Sequence, residues 1–397
     1  MDKKTIKDVS FENKIALIRA DLNVPLKNGV IKDDKRIIES LPTIKYVLEH
    51  SGKVILCSHL GRPKGVPNHE LSLKPVAARL SELLKINVLF ADDDRVTGQI
   101  ANDMVESFKA SDDKVLLLQN TRFREEETKN SGQFAKELAS YANIFVNDAF
   151  GTAHRAHSSN VGVCAYLEGV LGFLMEKEIT MLSKVLDNPQ KPIVAIFGGA
   201  KVSDKIGIIN NFINEVETIL IGGAMAYTFL KAQGYNVGTS LVEDDKLDIA
   251  IEILNKANKM GVKLLLPVDI KTAKAFEDTT ENFIRAIDEI QDDEMGLDIG
   301  PKTIELYEKE IKTAKTVVWN GPMGVFEFSN FAQGTLKIAQ AVANCNCFSV
   351  VGGGDSARAV TQLGFENKIT HISTGGGASL EFLEGNVLPG IAAMSDK

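Results

Sequence analysis

Short runs of β-branched and other apolar residues recur along the chain, each followed by a longer stretch in which apolar residues return every three or four positions. In the first half the runs are IALIRADL from Ile15, KVILCSHL from Lys53, INVLF from Ile86, KVLLLQN from Lys114 and NIFVNDAF from Asn143. In the second half they are PIVAIFGGA from Pro192, TILIGGA from Thr218, KLLLPVDI from Lys263, TVVWNGP from Thr316, CFSVVGGGD from Cys347 and ITHISTGGG from Ile369. Continuous apolar runs belong to strands buried on both faces, and the helical periods between them, such as Arg36 to His50 and Asp244 to Met260, supply the cover. Eleven strands are many for one sheet, so the pattern predicts an α/β protein of two doubly wound parallel-sheet, Rossmann-like domains. Between the fifth and sixth runs, Leu171, Leu174, Met175, Ile179, Leu182 and Leu186 recur at helical spacing. That period predicts a connecting helix over 171–187, closed by the DNPQKP turn, between domains at 1–170 and 188–377.

Composition narrows the class. The 397 residues give room for two or three full cores, and 44% hydrophobic with 25% charged residues excludes a disordered or fibrous chain. Lys and Arg number 45 against 53 Asp and Glu, a net charge of −8 that argues against partners such as nucleic acid or anionic membrane. Any basic site is then a local concentration. No apolar stretch reaches the length of a membrane span, and the opening MDKKTIKDVSFENK lacks the apolar run of a signal peptide. Cys57, Cys164, Cys345 and Cys347 form neither a CxxC pair nor a zinc knuckle, which suits reduced thiols in the cytoplasm.

In open parallel sheets ligands bind beyond the carboxyl ends of the strands, so the residues after each run carry the chemistry. The first half ends its strands with Arg19, Asp21 and Asn23, with His59, Gly61 and Arg62, with Asn120, Arg122 and Arg124, and with Asp148, His154, Arg155 and His157; Arg36 follows the first loop. A single Arg here is explained by pairing with a surface acid. The set, at matched strand ends, reads as a polyanion pocket, because planar guanidinium donors match phosphate and carboxylate. The second half ends its strands in glycine: Gly198-Gly199-Ala200-Lys201, Gly222-Gly223-Ala224, Gly352-Gly353-Gly354-Asp355 and Gly375-Gly376-Gly377. Tight strand-to-helix packing explains one such turn; four read as a nucleotide phosphate cradle, with Lys201 and Lys205 directed at phosphates. There is no GxxxxGK[ST] of the Walker type. Gly352, Gly354 and Ala357 satisfy the dinucleotide fingerprint, yet the next strand ends in Thr374 where a ribose-binding acid belongs. Asp355 is expected to cap the helix that follows it and to contact Mg2+. On these residues alone a nicotinamide-dependent dehydrogenase and a non-catalytic binder of phosphorylated ligands stay open beside a phosphotransferase.

The motifs RADLNVP (Arg19 to Pro25), SHLGRPKG (Ser58 to Gly65), DAFGTAHRAHSS (Asp148 to Ser159), GGAKVSDK (Gly198 to Lys205), WNGPMGVFE (Trp319 to Glu327), GGGDS (Gly352 to Ser356) and HISTGGGASLEFLEG (His371 to Gly385) together resemble the phosphoglycerate kinase family, in its order and from end to end. At Gln119-Asn120-Thr121-Arg122-Phe123 the family more often has Glu first and an apolar third residue. The resemblance implies reversible phosphoryl transfer between 1,3-bisphosphoglycerate and ADP, giving 3-phosphoglycerate and ATP, in a monomer that closes about its connecting helix. It implies that Asp21 and Asn23 hold the glycerate end, that His59, Arg62, Arg122 and Arg155 clasp the phosphate, and that Arg36 faces the transferring group. On the nucleotide side it implies Lys201, Lys205, Gly296, Gly353, Gly354 and Ser356 as ATP or ADP contacts, Glu327 at the ribose and Asp355 at Mg2+. It also implies that 378–397 folds back onto the N-terminal domain.

Overall fold

The computed structural model describes residues 2–279 and 281–397. It divides into two compact units, one of residues 2–180 with Val387–Lys397 and one of Met181–Asn386.

In the first unit the chain forms β1 (Ile15–Ala20), a small antiparallel hairpin of β2 (Leu26–Lys27) and β3 (Val30–Ile31), then α1 (Lys35–Glu49), β4 (Lys53–Cys57), α2 (Lys74–Leu84), β5 (Val88–Ala91), α3 (Gln99–Ala110) and β6 (Val115–Leu118). The short α4 (Glu125–Thr128) and α5 (Gly132–Ala139) lead to β7 (Ile144–Asp148), β8 (Gly169–Leu171) and then α6 (Phe173–Leu186), whose residues from Met181 on belong to the second unit. The sheet order is β5-β6-β4-β1-β7-β8, every pairing parallel. Four of its strands are buried almost throughout, which is why they are continuous apolar runs. Helix α1 buries Ile37, Leu41, Ile44 and Val47, spaced four, three and three, against the sheet.

The second unit continues with β9 (Ile193–Phe197), α7 (Ile206–Phe212), β10 (Thr218–Ile221), α8 (Met225–Ala232), α9 (Leu247–Met260) and β11 (Lys263–Leu265). A three-stranded antiparallel sheet follows, made of β12 (Asp269–Ala273), β13 (Phe283–Ala286) and β14 (Met295–Ile299) in the order β13-β12-β14. Then come α10 (Pro301–Thr313), β15 (Thr316–Asn320), α11 (Gln333–Asn344), β16 (Phe348–Gly352), α12 (Gly354–Gln362), β17 (His371–Ile372), α13 (Gly377–Leu383) and α14 (Pro389–Ala392), the last of these in the first unit. The parallel sheet has the order β11-β10-β9-β15-β16-β17. Its core gathers Trp319, Tyr307, Ile338 and Val351.

The eleven apolar runs are strands, with one correction: KLLLPVDI is two strands in two sheets. Pro267 has no amide hydrogen to donate and biases the residue before it away from continuation, so β11 stays with the parallel sheet and β12 starts the antiparallel one. The return to the first unit starts at Val387, not at 378, because α13 stays with α7: Asn211 Nδ2 donates to the Leu383 carbonyl at 2.7 Å. The returning segment docks through Asn147 Nδ2 to the Gly390 carbonyl at 3.0 Å and Ser395 N–H to the Gly169 carbonyl at 2.9 Å.

In both units the chain winds outward on one side of its first strand and then returns to the other. The crevices at these reversals lie beyond the ends of β1 and β7 and of β9 and β15.

Candidate active site

In the first unit Gly61, at φ +60°, is where three strand-end loops meet. Its N–H donates to Asn23 Oδ1 at 2.8 Å, and its carbonyl accepts from Arg122 Nη1 at 2.9 Å. A Cβ there would stand 2.8 Å from the Leu71 side chain. Asp21, buried at the end of β1, accepts from Arg36 Nη1 at 2.7 Å, which brings the first turn of α1 to the same place. Arg62, Arg122 and Arg155 line a cavity of about 410 Å³ together with Lys64 and Lys129. Its one carboxylate, Glu125, is paired with Lys129 at 2.7 Å, so the wall carries a surplus of positive charge. Lys64 and Lys129 were not singled out by the sequence reading; Lys64 lies inside the SHLGRPKG motif, which was the available signal.

Behind the cavity the cations repel one another. Burial, then Arg19 and Arg155, holds the Arg122 guanidinium down to about 10, with only Glu127 opposing among the leading causes. Burial and then Arg19 hold His59 well below the usual imidazole range, with Arg122 and Arg36 adding to the effect. His157 is held at about 3 by burial, Arg19, Arg122 and Arg155. Both imidazoles are therefore neutral at pH 7, and Arg122 Nε is buried with no hydrogen-bond partner. A site that concentrates uncompensated positive charge and an unused donor is arranged for an anion.

In the second unit the glycines divide into two sets. Gly198, Gly223 and Gly321 serve packing: Gly198 N–H donates to the Asn320 carbonyl, Gly199 N–H to that of Pro322 and Gly223 N–H to that of Met323, at 2.9, 3.0 and 2.9 Å. A Cβ on Gly321, at φ +97°, would stand 2.1 Å from the Gly198 carbonyl oxygen. Gly199, Gly354 and Gly376 instead face open space, with nothing within 4 Å of an added Cβ. At these strand ends packing thus accounts for Gly198, Gly223 and Gly321 and leaves Gly199, Gly354 and Gly376 free to receive a ligand.

Asn320, at the end of β15, is fully buried, and among the described residues neither of its amide atoms has a hydrogen-bond partner. It lies beside Gly353, whose added Cβ would sit 3.0 Å from Asn320 Nδ2. A buried amide unpaired among the described residues, beside the glycine turn, is a polar group that a ligand can satisfy, and it lies in the WNGP motif. Lys205 precedes α7; burial lowers its ammonium, opposed by the charges of Asp204, Asp355 and Glu384. Lys201 is exposed on the same loop.

Four expectations are corrected or refined. Asp355 does not cap α12: Gly353 is the N-cap, and Asp355 lies in the first helical turn with its carboxylate 72% exposed and 3.5 Å from Arg358. A positive φ at Gly353 lets that glycine act as the N-cap, two residues earlier than a capping Asp355 requires. Ser356 is buried and its Oγ accepts from Gly321 N–H, so its side chain ties two turns together. Glu327 is ion-paired with Arg358. Gly296 lies in β14, where its N–H donates to Ser240 Oγ at 2.9 Å and an added Cβ would strike the Tyr227 hydroxyl. Among the described residues no three His, Cys, Asp or Glu side chains converge as a metal site. The exposed Asp355 carboxylate suits a Mg2+ that takes most of its oxygens from phosphate and water.

Residues 6–386 match the family model described as phosphoglycerate kinase. The chain belongs to the phosphoglycerate kinase family. It is 59% identical over its whole length to the phosphoglycerate kinase of Clostridium tetani, covering 98% of that protein, and 58% identical to that of Clostridium novyi, covering all of both. Its fold superposes on the phosphoglycerate kinase of Coxiella burnetii with a TM-score of 0.88 at 42% identity, and on that of Pyrococcus horikoshii with 0.84 at 34%, each over 98% of both chains. The structure also accounts for the two positions at which the chain departs from the family pattern. Gln119, fully buried, accepts from Leu73 N–H and Asn120 N–H and donates to Ser72 Oγ and Asp92 Oδ1, at 2.9 to 3.1 Å. A carboxylate there would face Asp92. Thr121 donates to the buried Glu127 at 3.2 Å, a partner that an apolar side chain lacks.

Proposed function

We propose that this chain transfers a phosphoryl group between 1,3-bisphosphoglycerate and ADP, giving 3-phosphoglycerate and ATP. The observation that carries the reading is the pairing of chemistries: one unit gathers mutually repelling cations at its strand ends, and the other presents open glycines around a buried, unpaired amide. Asp21 and Asn23 take the glycerate end, and His59, Arg62, Arg122 and Arg155 the phosphate, with Lys64 and Lys129 extending the positive wall. Neutral His59 and His157 donate hydrogen bonds there without shuttling protons. The acceptor in the ATP-consuming direction is a carboxylate, ionised at neutral pH, so no general base is required.

Catalysis then rests on positioning and charge neutralisation. Arg36, already steered by Asp21, faces the transferring group. Lys201, Lys205, Asn320 and the amides of Gly353, Gly354 and Ser356 receive the nucleotide phosphates, Gly296 lies at the base and Glu327 at the ribose. Mg2+, held by Asp355 and phosphate oxygens, supplies further neutralisation when bound. Transfer requires the two ligands to come within about 3 to 3.5 Å of one another. That requirement gives closure about the connecting helix its purpose. We place the protein in the cytoplasm as a monomer, as its family resemblance implies, and its four cysteines are free thiols, which suits a reducing compartment. ATP formation from ADP and 1,3-bisphosphoglycerate, coupled to hexokinase, tests the reading; Mg2+-dependent formation is expected, and its absence in folded protein would overturn it.

A further inference from the structure

Arg19 is fully buried, and among the described residues no carboxylate lies within ion-pair distance of it. Its charge is met at one remove. Arg19 Nε donates to Ser159 Oγ at 2.8 Å, and Ser159 Oγ in turn donates to Glu127 Oε1 at 2.6 Å. Glu127 is also fully buried; its Oε2 accepts from Ser159 N–H at 3.0 Å, and its Oε1 accepts from Thr121 at 3.2 Å. On its other side, Arg19 Nη1 donates to the Ala20 carbonyl at 2.6 Å and Nη2 meets His59 Nδ1 at 3.0 Å. A guanidinium has only donors, so the His59 Nδ1 must be the acceptor. The proton of a neutral His59 therefore sits on Nε2, which has no hydrogen-bond partner among the described residues.

We propose that Glu127 is a positioning residue of the phosphoryl-transfer site: through Ser159 and Arg19 it locks His59 in the Nε2–H tautomer, so that the ring donates a hydrogen bond to the anionic substrate. Without the carboxylate, Arg19 loses its orientation and His59 is released to carry its proton on Nδ1, turning a lone pair toward the anion. The chain of contacts explains why a glutamate stands in a buried position among cations it does not pair with directly. His157 Nδ1 is 3.8 Å from its Oε1, beyond hydrogen-bond reach.

The inference rests on the reading of the cation cluster as the substrate's anion site, and the experiment separates the two. Long-range proton–nitrogen correlation spectra of the ligand-free full chain, with His59 assigned by its loss in His59→Gln, report the tautomer. The wild type is expected to show a protonated Nε2 and a bare Nδ1; a protonated Nδ1 would overturn the proposal at once. Glu127→Gln keeps the shape but sets an amide against Ser159, and it is expected to convert His59 to a mixture of tautomers. It should raise the dissociation constant of 3-phosphoglycerate by the inverse of the Nε2–H fraction that remains, about twofold for an even mixture, and leave that of ADP unchanged. Ser159→Ala breaks the same relay one step later and must give the same two readings, which covers a Glu127→Gln chain that fails to fold. Thr121→Val removes a bond to Glu127 outside the relay and should leave the tautomer alone; a change there would overturn the route through Ser159. Unaltered His59 spectra in both relay variants would overturn the proposal. Altered spectra with unchanged 3-phosphoglycerate affinity would leave the relay standing and overturn the reading of the cluster as the anion site.

Discussion

Substituting two glycines of the second unit by alanine should have opposite effects, because one glycine is packed and the other is open. Gly354 opens α12 with ordinary helical φ, and nothing lies within 4 Å of an added Cβ. Gly354→Ala removes backbone freedom from the unfolded chain without strain in the folded one, so stability should rise by about 0.4–1 kcal/mol. The new methyl nevertheless occupies the approach to the first-turn amides. Losing one hydrogen bond from them to a phosphate costs roughly 1.5–3 kcal/mol, which is roughly 10- to 150-fold in ADP affinity. Gly321→Ala is the control. Its φ of +97° disfavours any side chain, and its Cβ would stand 2.1 Å from one backbone atom of Gly198 and 2.3 Å from another. Strain and overlap together should cost roughly 3 kcal/mol or more. Denaturant titration without ligand gives the stabilities, and calorimetry with MgADP gives the affinities. A well-folded Gly354→Ala chain that binds MgADP as the wild type does would refute the phosphate cradle, and a destabilised one would refute the open space.

Arg36→Ala should lower kcat by roughly 10³ while leaving MgADP affinity near the wild-type value; a near-normal kcat would return Arg36 to substrate binding alone. Asp355→Asn, at an exposed carboxylate with no capping bond, should change stability by less than about 0.5 kcal/mol while abolishing most Mg2+-supported turnover; equal turnover at saturating Mg2+ would remove Asp355 from the metal. Burial raises the Asp148 carboxyl to about 6 against hydrogen bonds from Thr43, Leu174 and Met175, and its Oδ2 has no partner. The native state therefore holds this proton more tightly than the unfolded chain, and its contribution is full below pH about 4 and lost as the pH rises through about 6. Asp148→Asn keeps the accepting oxygen and should gain on the wild type by roughly 1–3 kcal/mol between those limits; a difference that does not grow with pH across denaturation curves would refute it.

The sequence by itself determined eleven of the twelve strands of the two parallel sheets, because burial on both faces forces continuous apolar runs that no other element needs. It also determined which strand ends carry Arg and His and which carry Gly, since side-chain type is written in the chain. Short or half-exposed pieces left weaker marks. β8 has three residues, β13 is partly exposed, and the split of KLLLPVDI depends on which sheet each half finds as a partner. The cation-lined cavity was legible at Arg62, Arg122 and Arg155, and the strand-end turns at their glycines. What only the tertiary structure decided is the use of each group. Gly321 and Gly354 are the same residue type, yet one abuts a backbone 123 positions earlier and the other faces open space. Arg19 reads as one more strand-end cation, but its position between Ser159 and His59 turns it inward. Period and composition encode whether a residue is buried. Which atoms it meets depends on chain segments far away in sequence, and their approach is set only when the sheets close around their cores.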